Sequence, residues 1–355
     1  MRPPLALLLS ALLLASCASG AAAGRSTPTV AASPSGVPTQ LSVDKQWKLG
    51  PVADVAVGVD AVYVLYAPPT SEGALSNATD TRLARIDRVS GRVVTAGPYP
   101  FAMRVALSGG VLWIGPNNQY PGTAASDSRI LTGVDAQSLL TVRRVTLPND
   151  PAPLALIANL TSNSSTVWVA YATHLYRLNA GSGAILASRR LSGVATSASI
   201  DSAGARIYVG LEDLPTTGAA TVTAFDATSL TPIVSSDTGG GGLGGPHVAA
   251  GGKDIWVSYA TGMMGQVEHR KASDLALLPV AQTMHTNGVQ IFVIAGMVWV
   301  ADAMAGQLMC LDPQTGVVRA VWSTQQGGVI DGDGSALYFG DITGVGTFQP
   351  DARCL

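Results

Sequence analysis

Residues 298–318, VWVADAMAGQLMCLDPQTGVV, decide how the rest of the chain is read. An apolar strand centred on Trp299 runs through a short polar gap to Leu311-Asp312-Pro313-Gln314-Thr315-Gly316, and the pair Val317-Val318 follows. An aspartate accepts hydrogen bonds from the backbone just ahead of it, proline presets φ, and glycine takes a positive φ. The middle segment is therefore a tight turn between two strands.

Both elements recur. The aromatic strand returns as Val62-Tyr63-Val64, Leu112-Trp113-Ile114, Val167-Trp168-Val169, Ile207-Tyr208-Val209, Ile255-Trp256-Val257 and Leu337-Tyr338-Phe339, which makes seven copies with Val298-Trp299-Val300. The turn returns at Asp87, Asp135, Asn179 and Asp226, in a degraded form at 270–275 (RKASDL) and truncated at 348–351 (FQPD). A period of about 45 residues is that of a propeller blade. A further short apolar strand, such as Val55-Ala56-Val57, precedes each aromatic one. Each unit therefore reads as four antiparallel strands, a to d. One such sheet cannot cover both its faces, but a ring of them can. The sequence predicts an all-β, seven-bladed β-propeller of four-stranded antiparallel blades over 41–355. Six or eight blades are the neighbouring counts, and the unequal loop lengths argue against a β-helix.

The two ends support closure. Residues 41–49 (LSVDKQWKL) read as a strand ahead of the first full unit, and the last unit stops after its third strand. The N-terminal strand is expected to close the last blade and remove its free edge, so that the chain before it leaves from that blade. Cys354 follows the last strand and Cys310 lies on strand c of the preceding unit. In an oxidising compartment this pair reads as a disulfide, with two buried thiols as the alternative.

At the N-terminus, Met1-Arg2, an apolar run from Leu5 to Ala15 and Ser16-Cys17 make a secretory signal too short to span a bilayer. Leu14-Ala15-Ser16-Cys17 resembles the bacterial lipobox. That resemblance implies cleavage before Cys17, lipid on its thiol, and stable membrane attachment through two or more acyl chains. Residues 1–16 are then the signal peptide, and 17–40 the lipidated cysteine with a flexible Ala/Ser/Pro tether. The expected place is the extracytoplasmic side of a bacterial cell membrane. A composition 47% hydrophobic and 12% charged, with 40 glycines, opposes disorder. A net charge of −2 without a Lys/Arg run leaves no footprint for nucleic acid. A monomer is expected.

The Trp-Val strand, the Asp-Pro-x-Thr-Gly turn and the valine strand after it resemble the YVTN/NHL-type propellers, including their streptogramin-lyase-like branch. The likeness covers nearly all of 41–355. It implies the fold, while such propellers host binding, scaffolding and enzymatic roles alike. Pro246-His247 resembles the entry to strand a in the lyase branch. The lyase's Glu and His, one residue apart, are not reproduced, because Glu268 and His269 are adjacent and point to opposite faces of a strand. No catalytic residue is carried over.

This topology gathers the d–a and b–c loops at one end of the central channel. Arg104, His247 and His285 enter strands a of blades 2, 5 and 6, and His174 follows the aromatic strand of blade 3. Glu212, Asp213 and Asp302 fall in b–c loops, the longest of which are 67–81 and 116–128. These seven residues are the candidate ligand-binding set, a polar funnel suited to an anion, a metal or acid–base chemistry. The function expected first is binding or scaffolding, with an envelope protein, a glycan or a small molecule as ligand. The alternative is a metal-dependent lyase or hydrolase with a divalent metal in that funnel. No cofactor motif is identified. Residues 239–245 lack the Lys-Ser/Thr of a phosphate loop. Residues 331–335 (DGDGS) lack the closing Glu of a calcium loop and read as an a–b turn.

Overall fold

The computed structural model describes residues 38–69, 80–116, 129–150, 157–213, 219–238, 245–261, 264–284, 289–324, 328–333, 335–350 and 352–354. Seven antiparallel sheets follow one another along the chain. Their inner strands a are Val52–Val57, Ala102–Ser108, Ile157–Ser162, Val194–Ile200, His247–Gly251, Val289–Ile294 and Val329–Gly332. Each packs against the next, and the last returns to the first, so the ring is closed. This is the seven-bladed propeller that the repeat predicts.

Closure uses the N-terminal strand. Lys45–Trp47 pairs antiparallel with Val345–Phe348, strand c of blade 7, with Lys45 opposite Thr347 and Trp47 opposite Val345. One expectation needs correcting. Thr39–Gln40 pairs in parallel with Val318–Ser323, the outer strand of blade 6, as a fifth strand. The chain ahead of it therefore leaves from blade 6 rather than blade 7, because an open outer edge was there to be paired. Cys310 and Cys354 form a disulfide with a Cα–Cα distance of 6.1 Å, tying the turn Ala352–Cys354 to strand c of blade 6.

Four of the seven recurring aromatics bond across the seams between blades. Trp113 and Trp168 are almost fully buried, and their Nε1–H groups donate to the carbonyls of Ala180 and Ala227 in the c–d turn of the next blade, at 3.2 and 2.8 Å. The hydroxyls of Tyr63 and Tyr208 donate likewise to Ala136 and Ala272, at 3.0 and 3.1 Å. The receiving turns are built as the sequence predicts. Asp226 Oδ1, for instance, accepts the Ser229 N–H at 2.7 Å and the Ser229 hydroxyl at 2.8 Å.

The fifth position of these turns is left-handed. Gly91, Gly183 and Gly316 occupy it at φ 71, 74 and 65, but Leu139, Leu230 and Leu275 do so at 59, 56 and 60. A non-glycine residue there costs about 1–2 kcal/mol. The three leucines are buried in the seam cores toward the preceding blades, where burying a leucine returns about 1.5–3 kcal/mol. Burial of the side chain thus offsets the backbone strain.

Candidate functional site

The seven inner strands enclose a cavity of ≈ 410 Å³ on the propeller axis. Its polar lining follows a register. Ala56, Ala106, Thr161, Ser199, Ala249, Phe292 and Asp331 lie opposite the strand-b aromatics of their own blades. Two residues earlier on each strand stand Asp54, Arg104, Asn159, Ser197, His247, Gln290 and Val329. The channel therefore has two tiers, and the first is polar in six of seven blades.

Inner strands of neighbouring blades splay apart and do not ladder, so their backbone groups need other partners. The lining side chains supply them. Asp54 Oδ2 accepts the Val105 N–H at 2.9 Å, which joins blade 1 to blade 2. Arg104 Nε donates to the Ala158 carbonyl at 2.9 Å, and Asn159 Nδ2 to the Ala198 carbonyl at 3.1 Å. The Ser197 hydroxyl donates to the Pro246 carbonyl at 2.8 Å and accepts the Val248 N–H at 3.0 Å. Asp331 Oδ2 accepts the Val57 N–H at 2.8 Å, across the seam where the ring closes.

Burial shifts the ionisation of this lining. Asp54 is raised to about 6 by desolvation, against the lowering pull of Arg104 and of the Val105 and Val55 N–H groups. Asp331 is raised to about 7, again by desolvation first, with hydrogen bonds from Val57 and Gly332 opposing and the Asp54 and Asp333 charges adding. His247 is lowered to about 4 by desolvation and the charge of Arg104. Near neutrality the channel thus holds a neutral imidazole at His247, a carboxyl close to half-ionisation at Asp331 and a mostly ionised one at Asp54.

Of the seven predicted ligand residues, the structure brings Arg104 and His247 into this channel. His174 is held elsewhere. Its Nδ1 lies 2.7 Å from Asp150 Oδ2, an oxygen that also accepts the Thr173 N–H and hydroxyl, and its ring stacks on Tyr176. Glu212 is buried at the end of strand b of blade 4, with its carboxyl raised by desolvation, and Asp213 follows it. Asp302 is buried at the end of strand b of blade 6, where Oδ1 accepts the Ala305 N–H at 2.9 Å. His285, Cys17 and most of the loops 67–81 and 116–128 lie outside the described residues. Among the described residues no group of three His, Cys, Asp or Glu side chains stands ready to hold a metal ion.

Asp54, Asn159, Gln290 and Asp331 were missed by the sequence reading, although a signal existed. The first tier sits nine positions ahead of the strand-b aromatic in every blade but the fourth, as Asp54 does to Tyr63 and His247 to Trp256. The fourth histidine, His269, stacks on Trp256 with ring centroids 4.2 Å apart. Glu268 meets Tyr259 and Arg270 on the opposite face of the strand.

No family model matches this chain, and no curated protein matches it in sequence. Solved structures do match in fold. BamB from Moraxella catarrhalis is similar at a TM-score of 0.54 and 14% identity, over 83% of this chain and 84% of that one. Hydrazine synthase of Kuenenia stuttgartiensis is similar at a TM-score of 0.66 and 11% identity, over 86% of this chain and 97% of that one. At such identities the likeness concerns the fold alone, and the chain stands as a seven-bladed β-propeller with structural kin of different names.

Proposed function

We propose that this chain is an extracytoplasmic binding or scaffolding propeller of the YVTN/NHL type. Lipid on Cys17 holds it at the membrane, and it engages an envelope protein, a glycan or a small molecule as a monomer. One observation carries the preference for binding over chemistry. Of the four channel side chains that look catalytic by type, three, Asp54, Arg104 and Asp331, are committed to the backbone of a neighbouring blade, and His247 is the fourth. A group that closes a seam between blades is poorly placed to shuttle protons, because each change of charge disturbs the seam. A stable ring with a free perimeter is instead a frame on which a partner docks.

Two measurements test this. Labelling with radioactive fatty acid is expected to mark the wild-type chain and not Cys17→Ala, and equal labelling of both would remove the anchor. Affinity capture of the anchored protein from its native envelope is expected to return the same partner repeatedly. Recovery of no partner, together with a tightly held divalent metal, would turn the reading toward a lyase or hydrolase.

A further inference from the structure

The outer edges of the seven blades are not alike. A strand at the edge of a sheet presents unpaired N–H and C=O groups that invite another strand, and proteins usually blunt it. Blade 6 is covered by Thr39–Gln40, and blade 7 ends in the three-residue strand Lys45–Trp47. Blade 1 ends in the four-residue Val93–Ala96. Pro232 opens the outer strand of blade 4, and Pro279 interrupts that of blade 5. Only Thr141–Thr146 of blade 2 and Ile185–Arg190 of blade 3 are six residues long, free of proline and uncovered among the described residues.

These two edges also share a chemistry. Each carries an arginine pair, Arg143-Arg144 and Arg189-Arg190, and neither holds an acidic residue. All four arginines are exposed, and among the described residues none has a carboxylate partner. Arg143 Nε donates to the Gly181 carbonyl at 3.1 Å, across the seam to blade 3. Beside them Val142, Ile185 and Leu186 are 39, 41 and 48% exposed. The charge extends beyond the edges. Blades 1–3 (51–191) hold eleven arginines against eight acidic residues, whereas 192–355 hold six basic residues against fourteen acidic. The rim of blades 2 and 3 is thus a positive, partly apolar perimeter with open backbone.

We infer that the outer edges of blades 2 and 3 take an extended acidic segment of a partner protein as a fifth strand. This deepens the binding role proposed above and rests on it. The pairing already occurs once in this molecule, where Thr39–Gln40 adds to the edge of blade 6. Main-chain hydrogen bonds supply affinity in such additions, while side chains set specificity, here glutamates or aspartates facing arginines. Position favours a protein over the anionic membrane surface. In a ring of seven, blades 2 and 3 are each three steps from blade 6, where the N-terminal chain departs. They lie on the side farthest from the tether.

The test uses the full chain and a fluorescent peptide alternating glutamate with valine and threonine. Two control peptides carry lysine for glutamate, or proline within the strand. The acidic peptide is expected to bind, to weaken as salt is raised, and to protect amides of 141–146 or 185–190 from hydrogen exchange. Arg189→Glu with Arg190→Glu, combined with Arg144→Glu, is expected to weaken it roughly tenfold or more, and the proline peptide is expected not to bind.

Equal binding of the lysine peptide, or protection confined to other blades, would overturn the assignment. So would capture of anionic vesicles without peptide binding. Aggregation of the variants with unchanged peptide affinity would reduce the arginines to guards of the edge. If the variants still capture the envelope partner as the wild type does, the edge assignment fails and the binding role stands. If neither captures a partner and no peptide binds, both fail.

Discussion

The innermost and outermost strands of this propeller both carry arginine, and they use it in opposite ways. Arg104 points into the channel, where polar residues attract a functional reading, yet its Nε is held by the Ala158 carbonyl at 2.9 Å. Arg189 and Arg190 lie on an outer strand that invites no special reading, and both are exposed there, with no carboxylate partner among the described residues. The difference teaches that residue type and concavity do not locate a site by themselves. What matters is whether a polar group still has bonding capacity to offer, and in this molecule that capacity increases from the axis outward.

The comparison breaks first if the seams do not hold the ring together. Trp168→Ala removes a buried indole and its bond to the Ala227 carbonyl, and a loss of about 3–5 kcal/mol is expected from urea unfolding. A loss below about 1 kcal/mol would mean that the blades are held by their own ladders and that the seam matters little. Next in size is the covalent link. Cys354→Ser opens a loop spanning 44 residues, and a cost of about 2–4 kcal/mol follows from the freed unfolded chain. An unchanged unfolding midpoint, with and without reductant, would show the C-terminal turn to be dispensable.

The fold was legible because its period is written in large residues. Seven aromatic strands and the Asp/Asn turns mark every blade, and the closing strand was visible as a strand in excess. The short strap Thr39–Gln40 was not legible, since two residues of parallel pairing leave no pattern. Half of the channel was missed for a related reason. Polar side chains were sought in loops, whereas Asp54, Asn159 and Gln290 sit inside strands whose surroundings are apolar, and only their offset from the aromatic marks them. His174 and His247 looked equivalent as scarce histidines. Their fates differ because Asp150, from the preceding d–a connection, captures the first. The sequence spacing of 24 residues gives no hint of that contact.

A paired substitution sharpens the contrast between axis and rim. Asn159→Ala leaves the Ala198 carbonyl without its donor, and a cost of about 1 kcal/mol is expected, up to 3 if water cannot reach it. Arg144→Ser on the outer strand of blade 2 is expected to stay within about 0.5 kcal/mol of wild type. Unfolding midpoints of the two variants decide the matter. A rim substitution that costs as much as the channel one would place the outer strands among the structural elements and remove the basis for treating them as a free surface.

The last expected change comes from a partial cancellation along the axis. Asp331 near 7 and Asp54 near 6 stand above the ordinary 3.8, so the folded chain retains protons that the unfolded chain releases. Their contribution to stability is full below about pH 4 and is lost as pH rises through 6 and 7. His247 has the opposite sign. At about 4 against an ordinary 6.5, its contribution is present above 6.5 and is lost as pH falls toward 4. Asp312 and Asp333, lowered by hydrogen bonds from Arg319 and Arg88, act only below the usual carboxylate range. The two carboxyls outweigh the one imidazole, so wild-type thermal midpoints are expected to fall as pH rises from about 4.5, most steeply below about pH 6, and to flatten toward about pH 8. His247→Gln removes the opposing group, so its midpoints should fall roughly twice as steeply between about pH 4.5 and 6.5. If both proteins are level across that span, the carboxyls do not titrate within the channel. The axis would then be a fixed set of charges, with even less bonding capacity to offer a ligand than the rim has.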